Sequence, residues 1–387
     1  MRRLAALALV AACGGGELDT ERAPRGAPPS PPMSGVADCA LAHATSSRHG
    51  ASCALLACDD GFSDCNGDAA DGCEASLLAD AESCGACGNV CARCDRGACG
   101  SLVDVAPDAH ARELVANGGT LAWLDDGRLR VAEGGAVATW ATGLSASAGA
   151  NEAGAIALGD GFAIVADVDG KRLVRASPTS TSELALGAFA SVALRGGDVY
   201  ALRLAAGSPG AIVRVALGGG APIELVSGLD LASACRIAVD ASWVWWTDPS
   251  AEIVWRVPLA GGPAEPWARR QRMTCGVVVD ATRAHWIAVD PTLAVFVVRV
   301  LKSETPDADW IQTATELGHY EPTKLGWDLA LGGGVVAFAN RHDGTLWSVA
   351  PDTGAARLIA GAQPVRGVAA GASIAWGTPR GVVRIAP

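Results

Sequence analysis

From Cys235 to Trp267 the chain alternates apolar blocks of strand length with polar turns. A short run, Arg236 to Val239, is followed by the turn Asp240-Ala241-Ser242, the tryptophan-rich run Trp243 to Thr247 and a second turn, Asp248-Pro249-Ser250. A third run, Ile253 to Leu259, leads through Gly261-Gly262 to a last short run near Trp267. Asp, Pro, Ser and Gly stand where the backbone must reverse, and β-branched and aromatic residues fill the runs between. The pattern predicts four antiparallel strands joined by three tight connections. One such sheet cannot bury both of its apolar faces, so it needs neighbours of its own kind.

The same template begins again at Gly276, runs in full from Asp328 to Ile359, and stops after a third strand between Arg366 and Ile385. Toward the N-terminus it fits the stretches that start at Glu113, Ala155 and Ala190. There are seven copies between Glu113 and Pro387, spaced by roughly 40 residues, the period of a four-stranded propeller blade. The predicted fold is therefore an all-β, seven-bladed β-propeller. Six blades is the alternative count, because the early copies are the weakest. The last copy lacks a fourth strand, and Leu102 to Ala106, which alternates like a strand ahead of the first copy, is expected to supply it and close the ring.

The four residues Trp245-Trp246-Thr247-Asp248 are similar to the Tyr-Trp-Thr-Asp signature of YWTD-type and related β-propellers. Ala122-Trp123-Leu124-Asp125 and His285-Trp286-Ile287-Ala288 are more distant versions of it. The resemblance implies the fold and leaves the ligand open.

The first residues read differently. Met1-Arg2-Arg3 and the apolar Leu4 to Ala12 form a positive segment and a core too short to span a bilayer, the pattern of an export signal. Val10-Ala11-Ala12-Cys13 resembles a bacterial lipobox, which implies cleavage before Cys13 and diacylglycerol on its thiol. A plain secretory signal is the alternative. Residues 14–38, rich in Gly and Pro, suit a flexible tether. Gly14 in place of Asp favours, by the same resemblance, an outer-membrane lipoprotein of the bacterial cell envelope. The expected organisation is signal peptide 1–12, lipidated cysteine and tether 13–38, Cys-rich module 39–100 and propeller 101–387.

Ten cysteines fall in the module: Cys39, Cys53, Cys58, Cys65, Cys73, Cys84, Cys87, Cys91, Cys94 and Cys99. An even number in an exported segment poor in large apolar side chains predicts a disulfide framework of undetermined connectivity. The stretch Cys58 to Cys91 resembles a Cys-rich repeat of predicted bacterial surface lipoproteins. The spacing Cys84-x2-Cys87-x3-Cys91-x2-Cys94 would also suit zinc or an iron–sulfur cluster in a reducing compartment. Asp64, Asn66, Asp68 and Asp71, with Glu74 nearby, make a possible calcium loop, although Asp and Asn equally form ordinary turns. No other cofactor is expected. Cys235 and Cys275 precede the first strands of consecutive blades and are expected to form a cross-blade disulfide.

A net charge of −11 argues against a nucleic-acid partner, and the only dense basic group, Arg269-Arg270-Gln271-Arg272, suits a solvated turn. Five of the seven connections between second and third strands carry Asp, at Asp125, Asp167, Asp248, Asp290 and Asp343 among others. They either make an acidic ring at one end of the disc or simply form turns. Trp123, Trp246, Trp286, Phe338 and Trp376 recur on second strands and are expected in the core, with His285 packed beside them. The long insertion Lys302 to Lys324, with Trp310, His319 and Tyr320, is the candidate binding loop.

Motifs of metalloproteases, serine hydrolases, P-loops and dinucleotide binding are absent from the sequence. The innermost strands consist mostly of Ala, Val, Leu and Gly, which leaves little to hold a substrate in the channel. The preferred reading is a non-enzymatic, lipid-anchored envelope protein whose propeller binds a protein, peptide or glycan partner. The alternative is a channel-based propeller hydrolase or lyase.

Overall fold

The computed structural model describes residues 39–49, 52–145, 154–204, 210–229, 236–272, 275–304, 314–319, 327–341, 343–361 and 364–385. Cys13, Cys235, Trp310 and Tyr320 lie outside these, as do the side chains of Cys275 and His319. Residues Ala40–Pro387 form one compact unit.

Seven antiparallel sheets of the predicted kind follow one another along residues 114–141, 156–186, 188–229, 237–268, 275–319, 327–360 and 366–385, numbered here as blades one to seven. The first strand of each touches the first strands of the blades before and after it, and blade seven returns to blade one, so these strands ring the central axis. Seven apolar clusters fill the seams, one between each adjacent pair of blades. Trp123, Trp246, Trp286, Phe338 and Trp376 are all buried there, which answers the recurrence of aromatic residues on second strands. His285 is packed beside them, 1% exposed.

The ring closes as the alternation at its start predicts. Leu102–Pro107 pairs antiparallel with Gly381–Ile385 as the fourth strand of blade seven, with Ala106 opposite Val382 and Leu102 opposite Ile385. One sheet is thus built from both ends of the propeller sequence.

Blade six departs from the template. Ala98–Cys99 pairs with its outer strand, Ala356–Ala360, and Cys94–Asp95 adds beyond that, giving a six-stranded sheet that carries the Cys-rich module on its edge. The module is held by Cys58–Cys73, Cys65–Cys87, Cys84–Cys94 and Cys91–Cys99, with Cys39 and Cys53 also disulfide-bonded. The four cysteines of the possible metal spacing are thus all in bridges. Cys84, Cys91, Cys94 and Cys99 form the module's small core, where sulfur takes the place of the missing aliphatic side chains.

At the junction the backbones approach so closely that only glycine fits. The Gly361 amide donates to the Gly97 carbonyl at 3.0 Å, and a Cβ on Gly361 would stand 2.2 Å from the Gly85 carbonyl oxygen. Gly361→Val is therefore expected to overpack the seam, at a cost of about 1–3 kcal/mol. Thermal unfolding measures the loss; an unchanged midpoint would mean that module and blade separate freely.

Candidate functional site

The register of the inner strands aligns one residue from each blade at the start of the channel: Glu113, Ala155, Ser191, Arg236, Gly276, Asp328 and Gly367. Three of them are charged, which corrects the reading of an apolar channel. Arg236 of blade four lies 3.7 Å from Glu113 of blade one and 3.7 Å from Asp328 of blade six, and donates to the Leu329 carbonyl at 2.7 Å. Glu113 also accepts from the amides of Gly154, Ala155 and Ile156, at 2.8–3.2 Å. Asp328 accepts from Val368 at 2.9 Å, and the Ser191 hydroxyl accepts from Ile237 at 3.1 Å. At blades one, three and six, then, a side-chain oxygen ties the inner strand of the next blade. Gly154, with a φ of +96°, leaves the room that Ser191 and Arg236 occupy. Burial pushes the Glu113 carboxyl up to about 7, against the opposing pull of Arg236 and the Ala155 and Ile156 amides.

This ionic bridge ties blades one, four and six across the ring. At the same end of the disc, connections of blades six, seven and one line a pocket of about 640 Å³. Its walls carry Arg112 and His110 from the link into blade one, Arg366 from the link into blade seven, Arg341 from blade six and Asp126 from blade one. Arg341 buries its Nε without a hydrogen-bond partner, and Arg366 is exposed with no side-chain partner among the described residues. The side-chain donors of His110, Asp125 and Asp126 come within 4.8 Å of one another, the geometry of a metal group. Asp125, however, already accepts the His110 amide at 3.2 Å, and three guanidinium groups line the same pocket. That surrounding field repels a cation and attracts an anion.

The aspartates of the second-to-third-strand connections turn inward to their own loops. Asp248 accepts from the amides of Ser250 and Ala251, Asp290 from Thr292 and Ala294, and Asp343 from Thr345. Asp167, 1% exposed, accepts from Ser145 and Arg172, and these bonds hold its carboxyl below the usual range although burial opposes them. Turn formation accounts for Asp248, Asp290 and Asp343, while Asp167 ties its connection to the link between blades one and two.

The opposite end holds a pocket of about 600 Å³ across blades three to five. Apart from Arg195, its charges answer one another. Lys302 pairs with Asp240 at 2.7 Å, and Arg256 lies 4.1 Å over the Trp243 ring and pairs with Glu265 at 3.1 Å. Asp280 meets His285 Nε2 at 3.1 Å. Burial would raise Asp280, yet the His285 bond and the Thr282 and Arg283 amides hold it at about 2; burial lowers His285. Asp240 and Asp280 occupy the same place in consecutive blades, so His285 stands where blade four has Trp245, whose indole donates to Asp240 at 2.9 Å.

In the module, the possible calcium loop caps itself. Asp64 accepts from the Gly67 amide, Asn66 from Asp68, Asp68 from Ala70, and Asn66 donates to Asp71 at 3.0 Å. Glu74 accepts from the Cys65 and Asn66 amides. His319 ends the last strand of blade five, Ala314–His319. The sequence reading missed Arg112, Arg341 and Arg366 because they belong to three separate connections, and only ring closure brings those together.

No protein-family model and no curated protein matches the chain. Among solved structures it is similar to YCF48 bound to D1 peptide, with TM-score 0.54, 11% identity, and coverage of 74% of this chain and 96% of that one. It is also similar to a nidogen/laminin complex, with TM-score 0.42, 15% identity, and coverage of 54% and 82%. A third is the PQQ-bound aldose sugar dehydrogenase of Streptomyces coelicolor, with TM-score 0.44, 16% identity, and coverage of 61% and 94%. At such identities the likeness establishes the fold alone, which is the β-propeller.

Proposed function

We propose that this chain is a lipid-anchored protein of the bacterial cell envelope whose propeller is a rigid disc that binds an acidic segment of a partner protein. The observation that carries the reading is the pocket among the connections of blades six, seven and one, where Arg112, Arg341 and Arg366 converge in a chain of net charge −11. Guanidinium groups pair with carboxylates through two parallel hydrogen bonds, a geometry suited to acidic side chains. The bridge of Glu113, Arg236 and Asp328 ties blades one, four and six, which gives the disc a fixed shape. The similar YCF48 structure holds the D1 peptide, a use of the same kind. The lipobox resemblance at Cys13 and the Gly/Pro-rich stretch after it support the anchor and a tether that holds the disc off the membrane.

Two measurements test this reading. Intact mass of protein purified from envelope membranes is expected to match cleavage before Cys13 plus acyl chains; an unprocessed amino terminus would remove the anchor. A fluorescent octapeptide of alternating Asp and Gly is expected to bind the full chain, weakening as salt rises. A Lys/Gly control should not bind. Arg366→Glu should weaken the acidic peptide at least tenfold by reversing one charge of three. Equal binding of both peptides, or an Arg366→Glu chain that binds like the parent, would remove the arginine pocket as the site.

A further inference from the structure

The Cys-rich module does more than cover an edge. Between it and blades six and seven runs a second pocket, of about 700 Å³, which shares Arg341 and Pro364 with the arginine pocket, so the two adjoin at those residues. The second pocket's module wall sets Phe62, Leu77 and Leu78 beside Asp59 and Asp60, and these face Leu102, Pro379, Val383 and Asp343 of the propeller. Leu78 is 37% exposed and lies over Gly61, which has no Cβ to push it aside. Arg341 and Arg380 stand on the propeller side, and the Arg380 side chain has no partner among the described residues. Arg96, on the module side, is already held by Asp104 at 2.8 Å.

We propose that module and propeller together form one recognition groove, in which an acidic partner segment seats a single large apolar side chain beside Leu78 while its carboxylates lie along the arginines toward the channel. This rests on the acidic-segment reading above and adds to it the apolar anchor and the role of the module. Three features point to this occupant. The two pockets meet at Arg341 and Pro364, so one extended strand of peptide reaches both. The two ends of the groove differ in chemistry: Asp59 and Asp60 stand beside the apolar side chains at the module, and Arg112, Arg341 and Arg366 at the other end, so a ligand's apolar side chain suits the first and its carboxylates are directed to the second. The seam at Ala98 and Ala360 fuses the two walls into one sheet, so the groove is preformed.

The test compares two octapeptides on the full chain, both built from Asp and Gly, one with a central Leu and the other with Ser in that place. The Leu peptide is expected to bind about tenfold tighter, the gain from burying one such side chain. In Leu78→Ser that advantage should vanish, while the Ser peptide binds as it does to the parent, which also reports an intact fold. If both peptides bind the parent equally and Arg366→Glu weakens both, the groove is wrong and the arginine pocket stands. A Leu preference that survives Leu78→Ser likewise overturns the groove. If neither peptide binds, the acidic-segment reading fails and takes the groove with it.

Discussion

Replacing Arg236 with methionine is expected to cost about 3–5 kcal/mol of stability, because it strands two buried carboxylates with no countercharge. Glu113 and Asp328 have side chains only 2% and 4% exposed, and Arg236 is the cation beside both, 3.7 Å from each. The backbone amides that bind their oxygens offset part of the desolvation cost, and the guanidinium offsets much of the rest. The loss should also depend on pH. Glu113 titrates near 7 in the folded chain and near 4.5 when unfolded, so its folded value is raised. A raised carboxyl contributes stability that is complete below the unfolded value and disappears as pH climbs through the folded one. In the parent protein the corresponding decline between those two values is on the order of 3 kcal/mol, since one pKa unit is worth about 1.4 kcal/mol. Without Arg236 the pull that lowers Glu113 is gone, its value climbs further, and the deficit should be greater at pH 8 than at pH 5. Glu113→Gln, by contrast, should remove the decline itself. Urea unfolding of the three proteins at both pH values decides the matter. A deficit under about 1 kcal/mol, equal at both, would mean that water screens the bridge.

What the sequence discloses and what it hides divide along a physical line. Repetition discloses architecture: each copy supplies the same apolar faces, so blade number and the closing role of Leu102 to Ala106 follow from counting runs and turns. Regular chemistry in a repeat is likewise readable, as with the tryptophans and phenylalanine of the second strands, which fill equivalent seams. The site is hidden because it is made of the exceptions. Glu113, Arg236 and Asp328 each appear as one polar residue at the head of an apolar run, and only superposing seven runs reveals that they share a ring position. Arg112, Arg341 and Arg366 are further removed, in connections 25 to more than 200 residues apart along the chain. Blade six's extra strands were unreadable for a different reason. Ala98–Cys99 is two residues long, and its pairing is set by disulfides and glycine contacts rather than by any period in the sequence.

A chain that begins at Asp108 is expected to lose cooperative folding, whereas one that begins at Leu102 keeps it. The difference is a single strand. Leu102–Pro107 faces Gly381–Ile385 along a five-pair ladder, and each ladder hydrogen bond contributes about 0.5–1.5 kcal/mol. The same strand covers the apolar seam of blades seven and one, where Ala106, Ala109, Leu121, Trp123, Ala375 and Val382 meet. Its removal should therefore cost at least about 5 kcal/mol, comparable with the whole stability of an ordinary domain. It also uncovers the Gly381–Ile385 edge and opens the ring between its first and last blades, so that the bridge of Glu113, Arg236 and Asp328 no longer spans a closed circle. Removing only the residues before Leu102 uncovers the outer strand of blade six instead, and the circle stays shut. Denaturant unfolding followed by tryptophan fluorescence separates the cases: a steep single transition for the chain from Leu102, and a broad, early one for the chain from Asp108. Two indistinguishable transitions would mean that the seven seams hold the ring without its closure, and that the last blade is stable with three strands.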